Sequence, residues 1–588
     1  MKRLIIMTLV ALLCSAVSAQ EKAFTPSYKY RVTLKDKKAT TFSVKHPEQF
    51  LSEKAIQRRK RQGLKIDQTD IPVCQVYLNQ ISAKGAKIVH TSKWNNTALV
   101  QVTDTTVMDA VLALPCVTAV RKVATYLKPD RHNTTDRFSL IKSVSEEPEE
   151  EDDDAYEAYE PGEEHADADE DEDDSMEQLL RTQIKSSLDE SFEEVYGDVT
   201  RLPKAKQDSI HITTETIINL AIDQTHKESQ SADDEEEEDV VIEDDEDDED
   251  EHVVLADPIE PTEEMVLNAL AETMGRTSED VQPKDEIDYG KGYGQINMLN
   301  GIALHKQGYK GKGMTIAVID GGFYNADIIP ALQNVDILGV RDFVNPGVDN
   351  VFEEESHGMM VLSTIGTNQP GLMIGTAPEA SFYLLRSEDG YTEQLVEEDN
   401  WCAAIEYADS VGVDVVNTSL GYTKFDNPAD NVKYWELDGH THLASNSASM
   451  AASKGMVLCQ SAGNEASYSA WKLIGVPADA DNILSVGALR PDGVNTYFSS
   501  LGNSADGRIK PDVCAQGEDC AVMGTNGQMT QADGTSFSSP IMCGMVACFW
   551  QANPKLTAKQ VVEAVRALGH NVAHPDNVFG YGTPNFGK

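Results

Sequence analysis

The chain has 588 residues, with 98 Asp or Glu against 49 Lys or Arg and a formal net charge of −49. That length has room for several domains, and the charge has the wrong sign for a protein whose partner is nucleic-acid phosphate. The acidity is local: residues 146–174 hold 19 acidic side chains among 29 and residues 233–251 hold 16 among 19, which leaves only 14 of the net 49 charges to the rest.

In chain order, Lys2 and Arg3 precede the apolar stretch Leu4 to Leu13, followed by Val17-Ser18-Ala19. This pattern is that of a secretory signal, residues 1–19, cleaved after Ala19, and the stretch is too short for a membrane anchor. Cys14 raises a lipoprotein reading, but Leu13 before it is bulkier than such signals prefer. No later segment is long and apolar enough to span a bilayer, so the product is expected to be exported without a transmembrane segment, to periplasm, surface or medium.

Residues 20–127 read as a separate module. Tyr28 to Leu34, Ala86 to Thr91, Ala98 to Val102 and Val117 to Val123 have strand character, while Pro47 to Gln62 and Thr106 to Leu114 have helical spacing. Strands and helices in that number suggest a small α+β sandwich, ferredoxin-like in type. The basic run Arg58-Arg59-Lys60-Arg61 reads either as a processing site or, preferred here, as the solvated face of a helix.

Residues 128–285 form an acidic linker, expected to be largely disordered because it repels itself and buries almost nothing apolar. Leu180, Ile184, Leu188 and Phe192, and later Val266, Leu270 and Met274, recur at helical spacing and mark short helices within it. The plain reading is a solvated spacer; weak cation binding, capture of basic partners and a tether that raises effective concentration are the alternatives.

Residues 286–588 carry the chemistry. Met314 to Gly322 is an apolar run that ends in Asp320 and two glycines, as a buried parallel strand would, and sites form at the carboxyl ends of such strands. His357 opens another apolar run, of helical type, and is suited to general acid and base work. Val413 to Gly421 and Met456 to Glu465 are strands running into small-residue turns. In Gly534-Thr535-Ser536-Phe537-Ser538-Ser539-Pro540, Ser536 stands where a helix begins, Gly534 allows a sharp turn, and Pro540 is placed in the first helical turn. Each residue alone has an ordinary structural reading, a cap, a turn or a satisfied histidine. Three in this order, each in matching context, point to nucleophilic catalysis.

These segments resemble the subtilisin-like serine peptidases, the subtilases, across about half the chain. The resemblance implies an α/β three-layer fold with a mostly parallel central sheet, preceded by a propeptide that acts as chaperone and intramolecular inhibitor. It implies the triad Asp320, His357 and Ser536, in the order known for that family, with Asn464 and the Ser536 N-H as oxyanion donors. It further implies that Ser419, Leu420 and Gly421 pair with substrate backbone, and that Ser461, Ala462, Gly463, Glu465 and Gly475 line the pocket for the P1 side chain. The pocket suits a large apolar group, and Glu465 would tolerate a basic one. Gly321, Met359 and Ser363 depart from the usual pattern without removing a catalytic group.

No cofactor is required for this chemistry. Structural calcium stays open, with Asp327 and Asn368 near the segments concerned. Of nine cysteines, Cys514 and Cys520 are spaced to close a small loop, whereas Cys459, Cys543 and Cys548 read as buried thiols. The sequence thus points to an exported serine endopeptidase made as an inhibited precursor and acting on proteins or peptides. The alternative is a weakly catalytic scaffold whose acidic arm binds cations or basic partners.

Overall fold

A computed structural model describes residues 25–127, 287–348, 350–468 and 470–588. The signal segment, both acidic runs and the helix-spaced apolar residues between and after them lie outside the described residues. What is described before the linker, together with residues 292–588, packs as one compact unit. Among the described residues no helix is long and apolar enough to cross a membrane.

The N-terminal module contains β1 (Ser27–Leu34), α1 (Glu53–Arg61), α2 (Gln75–Ser82), β2 (Lys87–Ser92), β3 (Thr97–Val102), α3 (Val107–Leu112) and β4 (Val117–Tyr126). Its strands form an antiparallel sheet in the order β2-β3-β1-β4. The expected helix over residues 47–62 is broken in two. A short 3-10 turn at Pro47–Gln49 stops at Phe50, and Ser52 then caps α1 through Oγ, which accepts from Ala55 N at 3.1 Å. Such a cap satisfies one of the donors a helix start leaves over. Helix α2 has no counterpart among the sequence expectations; it starts without a side-chain cap and buries only Tyr77, Leu78 and Ile81.

The larger part opens with two short helices, α4 (Tyr293–Asn297) and α5 (Ile302–Lys306), followed by β5 (Thr315–Asp320), β6 (Asp336–Asp342), α6 (His357–Gly366), the small pair β7 (Asn368–Gln369) and β8 (Met373–Ile374), and β9 (Ser381–Arg386). After these come α7 (Val396–Val411), β10 (Val415–Thr418), α8 (Leu443–Ser453), β11 (Val457–Ser461), β12 (Leu484–Leu489), β13 (Val513–Gln516), the hairpin β14 (Cys520–Met523) and β15 (Met529–Ala532), α9 (Thr535–Ala552) and α10 (Ala558–Ala567). Seven strands form one sheet in the order β13-β12-β11-β10-β5-β9-β6, every neighbouring pair parallel. Parallel strands covered by helices on both faces are buried throughout, and β5, β10, β11, β12 and β13 are buried at every residue.

One face of the N-terminal sheet covers its own helices, with Val32, Leu78, Ile81, Val100 and Val111 in that core. The other face presents Trp94, Leu99, Val123 and Ala124 to a core shared with α7, which contributes Trp401, Ala404 and Ala408. Between these apolar contacts lies a buried ionic cluster around Asp409 of α7. Its carboxylate accepts from Arg58 at 2.5 Å, from Arg59 at 2.9 and 3.0 Å and from Lys93 at 2.8 Å. Arg59 also meets Asp70 at 2.7 Å, and Asp70 meets Lys454 at 3.1 Å.

The solvated reading of the basic run is therefore corrected. Arg58 and Arg59 are 2 % and 1 % exposed, because the flank of α1 that carries them is pressed against α7. Only Arg61 of the two outer arginine positions keeps half its side chain in water, with 49 % exposure, where it meets Asp414 at 3.4 Å.

Burial opposes ionisation of Asp409, but Lys93, Arg59 and Arg58 outweigh it and hold the carboxyl far below the usual range. Since the shift is downward, its contribution is complete above the ordinary carboxylate pKa and is lost only as pH falls toward the lowered value. Asp409→Ala leaves three buried cations without their partner and is expected to cost the full chain about 3–5 kcal/mol in denaturant unfolding. Arg121→Ala, which breaks an ion pair with Asp430 whose side chains are 54 % and 20 % exposed, should cost no more than about 1 kcal/mol; equal losses would show that burial is not what makes the cluster matter.

Candidate active site

Strand β5 delivers Asp320 to the carboxyl edge of the sheet, 2 % exposed. Helix α6 begins with His357 itself, after Ser356 as N-cap. The two meet through His357 Nδ1 and Asp320 Oδ1 at 2.8 Å, and the same Oδ1 accepts from Gly321 N at 2.8 Å. Asp320 Oδ2 is buried without a partner among the described residues. Gly358 makes this approach feasible: a Cβ there would lie 2.4 Å from Gly322 O and 2.8 Å from Asp320 Cβ. Burial pulls the His357 pKa down, but the Asp320 charge and hydrogen bond, with Glu355 adding to them, carry it above the ordinary histidine value.

Ser536 is the second residue of α9, after Gly534, whose φ of 145° is one that L side chains rarely adopt. Its Oγ donates to Ser419 O at 3.1 Å, while Ser419 Oγ donates to Ser536 O at 2.8 Å. The second of these bonds explains Pro540. The proline stands inside the helix, as its sixth residue, rather than in the first turn as expected. Lacking an N-H, it leaves free the carbonyl four residues earlier, which is that of Ser536. Ser419 takes up the vacancy. The imidazole of His357 lies close by, its ring 5.8 Å from that of Phe537.

Asn464 follows β11. Its Oδ1 accepts from Thr535 N at 2.9 Å and Thr535 Oγ1 at 3.0 Å, and Thr535 Oγ1 in turn accepts from Gly463 N at 3.1 Å. With Oδ1 engaged, Nδ2 is the end of the amide turned toward the serine: a Cβ built on Gly534 would be 3.5 Å from Nδ2 and 3.7 Å from Ser536 Cβ. Thr535 was not singled out from the sequence, although it stands beside Ser536; its role is visible only once β11 and α9 come together.

Ser419, Leu420, Gly421, Ser461, Ala462, Gly463, Asn464, Glu465, Gly475 and Ser536 all line one cavity of about 100 Å³. The order β11-β10-β5 brings the turns after β10 and β11 side by side, and the small residues leave room between them. Glu465 is held at its edge by Ser500 Oγ at 2.6 Å.

The three departures have local partners. Ser363 Oγ donates to Met360 O at 2.6 Å and accepts from Met523 N at 2.9 Å, tying α6 to β14. Met359 is fully buried. A Cβ on Gly321 would come within 2.8 Å of Glu355 Oε2, so the glycine leaves space for that carboxylate.

Cys514 and Cys520 do not form the expected loop. Both are free and buried, Cys514 within the central sheet with Sγ 3.5 Å from Phe579 O and Cys520 on the separate hairpin. Among the described residues no three His, Cys, Asp or Glu side chains are grouped to hold a metal.

Residues 311–582 match the subtilase family (Peptidase S8), and residues 29–137 match the Peptidase S8 propeptide domain of Bacteroidota. Subtilisin NAT of Bacillus subtilis subsp. natto is 29% identical over 290 residues, covering 49% of this chain and 68% of that protein. Serine protease AprX of Bacillus subtilis (strain 168) is 28% identical over 316 residues, covering 48% and 67%. Among solved structures, MycP3 protease from the type VII (ESX-3) secretion system aligns at 21% identity over 52% of this chain and 90% of that one, with a TM-score of 0.41.

Gly358→Ala should push α6 away from β5. We expect a loss of about 1–3 kcal/mol in unfolding free energy, as for other overpacked sites, together with disappearance of the low-field Nδ1 proton resonance of His357. Retention of that resonance would show that the close approach is not needed for the Asp320 contact.

Proposed function

With a subtilase domain at residues 311–582 and a propeptide domain of the same family at 29–137, this chain belongs to the subtilase family of serine proteases, and we propose that it is an exported endopeptidase made as an inhibited precursor. The observation that carries the catalytic assignment is the His357 Nδ1 to Asp320 Oδ1 bond of 2.8 Å beside a serine at a helix start. Ser536 attacks the peptide carbonyl, and His357 accepts its proton through Nε2 and then donates it to the leaving amine. Asp320 fixes the tautomer and stabilises the imidazolium. Asn464 Nδ2 and the Ser536 N-H receive the oxyanion, and water hydrolyses the acyl-enzyme.

To begin, the Ser536 hydroxyl leaves Ser419 O by one rotation about Cα-Cβ, a movement between ordinary rotamers. Substrate pairs with Ser419 to Gly421 as an added strand, and its P1 side chain enters the cavity beside Glu465. The propeptide domain occupies α7 until it is removed. Export follows from the signal segment at residues 1–19. The hydrolysis is assigned to protein groups alone, and any calcium would serve the fold.

A fluorophosphonate probe should label Ser536 in the processed protein, and Ser536→Ala should accumulate full-length chain. No labelling of folded, propeptide-free protein would sink this reading. The pH dependence has a definite sign. His357 works as the neutral base and its pKa is raised, by Asp320 and then Glu355 against the effect of burial, so kcat/KM should climb with pH and reach half its plateau above the ordinary histidine value of 6.5. Glu355→Gln removes a negative charge and should move that half-point to lower pH; a shift upward, or none, would contradict the electrostatic account.

A further inference from the structure

The turn after β10 has a second depression on its other flank. The sheet order β11-β10-β5-β9 places residues 419–421 between the turn after β11, which holds the P1 cavity, and the turns after β5 and β9. On the latter side is a cavity of about 460 Å³ that shares Leu420 and Gly421 with the first and adds Tyr422. Its charged lining is entirely acidic: Glu355, Glu388, Asp389, Glu393, Glu397 and Asp426.

A second observation sets this apart from a solvated acidic patch. Helix α7 carries Glu397, Glu398, Asp399, Glu406 and Asp409, all buried. Four have donors for their charge. Glu398 meets His442 at 3.0 Å, Asp399 is held by two nitrogens of Arg31 at 2.8 and 2.7 Å, Glu406 accepts from Ser92, Lys93 and Trp94, and Asp409 has its three cations. Glu397 differs. It is 1 % exposed, its Oε1 accepts from Asp389 N at 3.4 Å, its other side-chain hydrogen bond is with a second acid, Glu388, and no cation or N-H donor among the described residues meets its Oε2, which lines the cavity. A buried carboxylate oxygen left without a donor is costly.

We propose that this cavity receives a basic side chain of the substrate, at P2 or P4, with Glu397 as its floor. This rests on the protease reading. Antiparallel pairing with residues 419–421 sets P1 beside Ser419 and Ser536 and sends the upstream residues past Gly421 and Tyr422, along the cavity. In an extended chain alternate side chains point to opposite faces, so with P1 in its own pocket P2 and P4 turn to this side.

The acceptors are spread from the exposed Asp426 and Glu355 at the rim to Glu397 inside, and among the described residues they do not converge as a metal set. A guanidinium, with several donors in one plane, can reach such acceptors together. Burial first, and mutual repulsion after it, raise the pKa values of Glu393 and Glu397, and burial raises that of Glu388. An entering cation reverses that balance and lets them ionise.

The test uses the full chain after self-processing and paired internally quenched peptides, with Leu at P1 and either Arg or its neutral isostere citrulline at P2, and again at P4. We expect kcat/KM on the order of tenfold higher for Arg at one of these positions, mainly through KM, as suits a charged hydrogen bond made in the bound state. Glu397→Gln, and separately the rim variant Asp426→Asn, should lower the Arg-to-citrulline ratio several-fold. Equal cleavage of Arg and citrulline peptides at both positions overturns the subsite, as does a ratio undiminished in both variants. A chain that cleaves none of the peptides and takes up no fluorophosphonate fails as a protease altogether, and that result is distinct from cleavage without preference.

Discussion

Helix α7 is where the two parts of the molecule become one, and Asp409 is the group on which that union turns. A carboxylate at zero exposure is unfavourable in isolation; here it is surrounded by Arg58, Arg59 and Lys93, all supplied by the N-terminal module. Neither side can give up this contact and stay comfortable. Without the module α7 exposes Asp409 stripped of its three cations and the apolar faces of Ala404 and Ala408, and without α7 the module is left with two arginines and Trp94 uncovered. Charge and apolar area therefore recognise the same partner, which is the arrangement expected of a domain that must dock in one orientation.

The same economy appears around the serine. Pro540 removes an N-H from α9, Ser419 Oγ fills the gap at Ser536 O, and Ser536 Oγ returns a bond to Ser419 O. The turn that would pair with substrate is thus fixed to the residue that would attack it. Thr535 does the corresponding service for Asn464, holding the amide oxygen so that its nitrogen is turned toward Ser536. Ser536 and its neighbour Thr535 set the positions of two separate turns, and the parallel sheet brings those turns to one edge.

Much of this was legible in the amino-acid order, and the exceptions have physical reasons. Apolar runs ending in small or polar residues gave away β5, β10 and β11, since fully buried parallel strands leave a continuous signature. The residues lining the cavity beside Ser536 came from the same turns. What local pattern does not carry is the identity of a distant neighbour. Arg58 and Arg59 look like a solvated charge run until α7 is brought against them, and Cys514 and Cys520, close in sequence, belong to different sheets. Helix α2 begins with no side-chain cap and has too few buried positions to stand out. The acidic cavity is drawn from residues 355, 388–397 and 426, scattered enough that no motif marks it.

The burial of Arg58 and Arg59 also gives the docked state a protective function. A run of four basic residues is a ready substrate for any trypsin-like enzyme when the chain is unfolded or undocked. Against α7 the guanidiniums of Arg58 and Arg59 are out of water and the backbone of the run is held in helix. A module that is seated keeps its own weakest bond hidden, and one that has been dislodged presents it to whatever protease is near, so that departure, once cut, has no return.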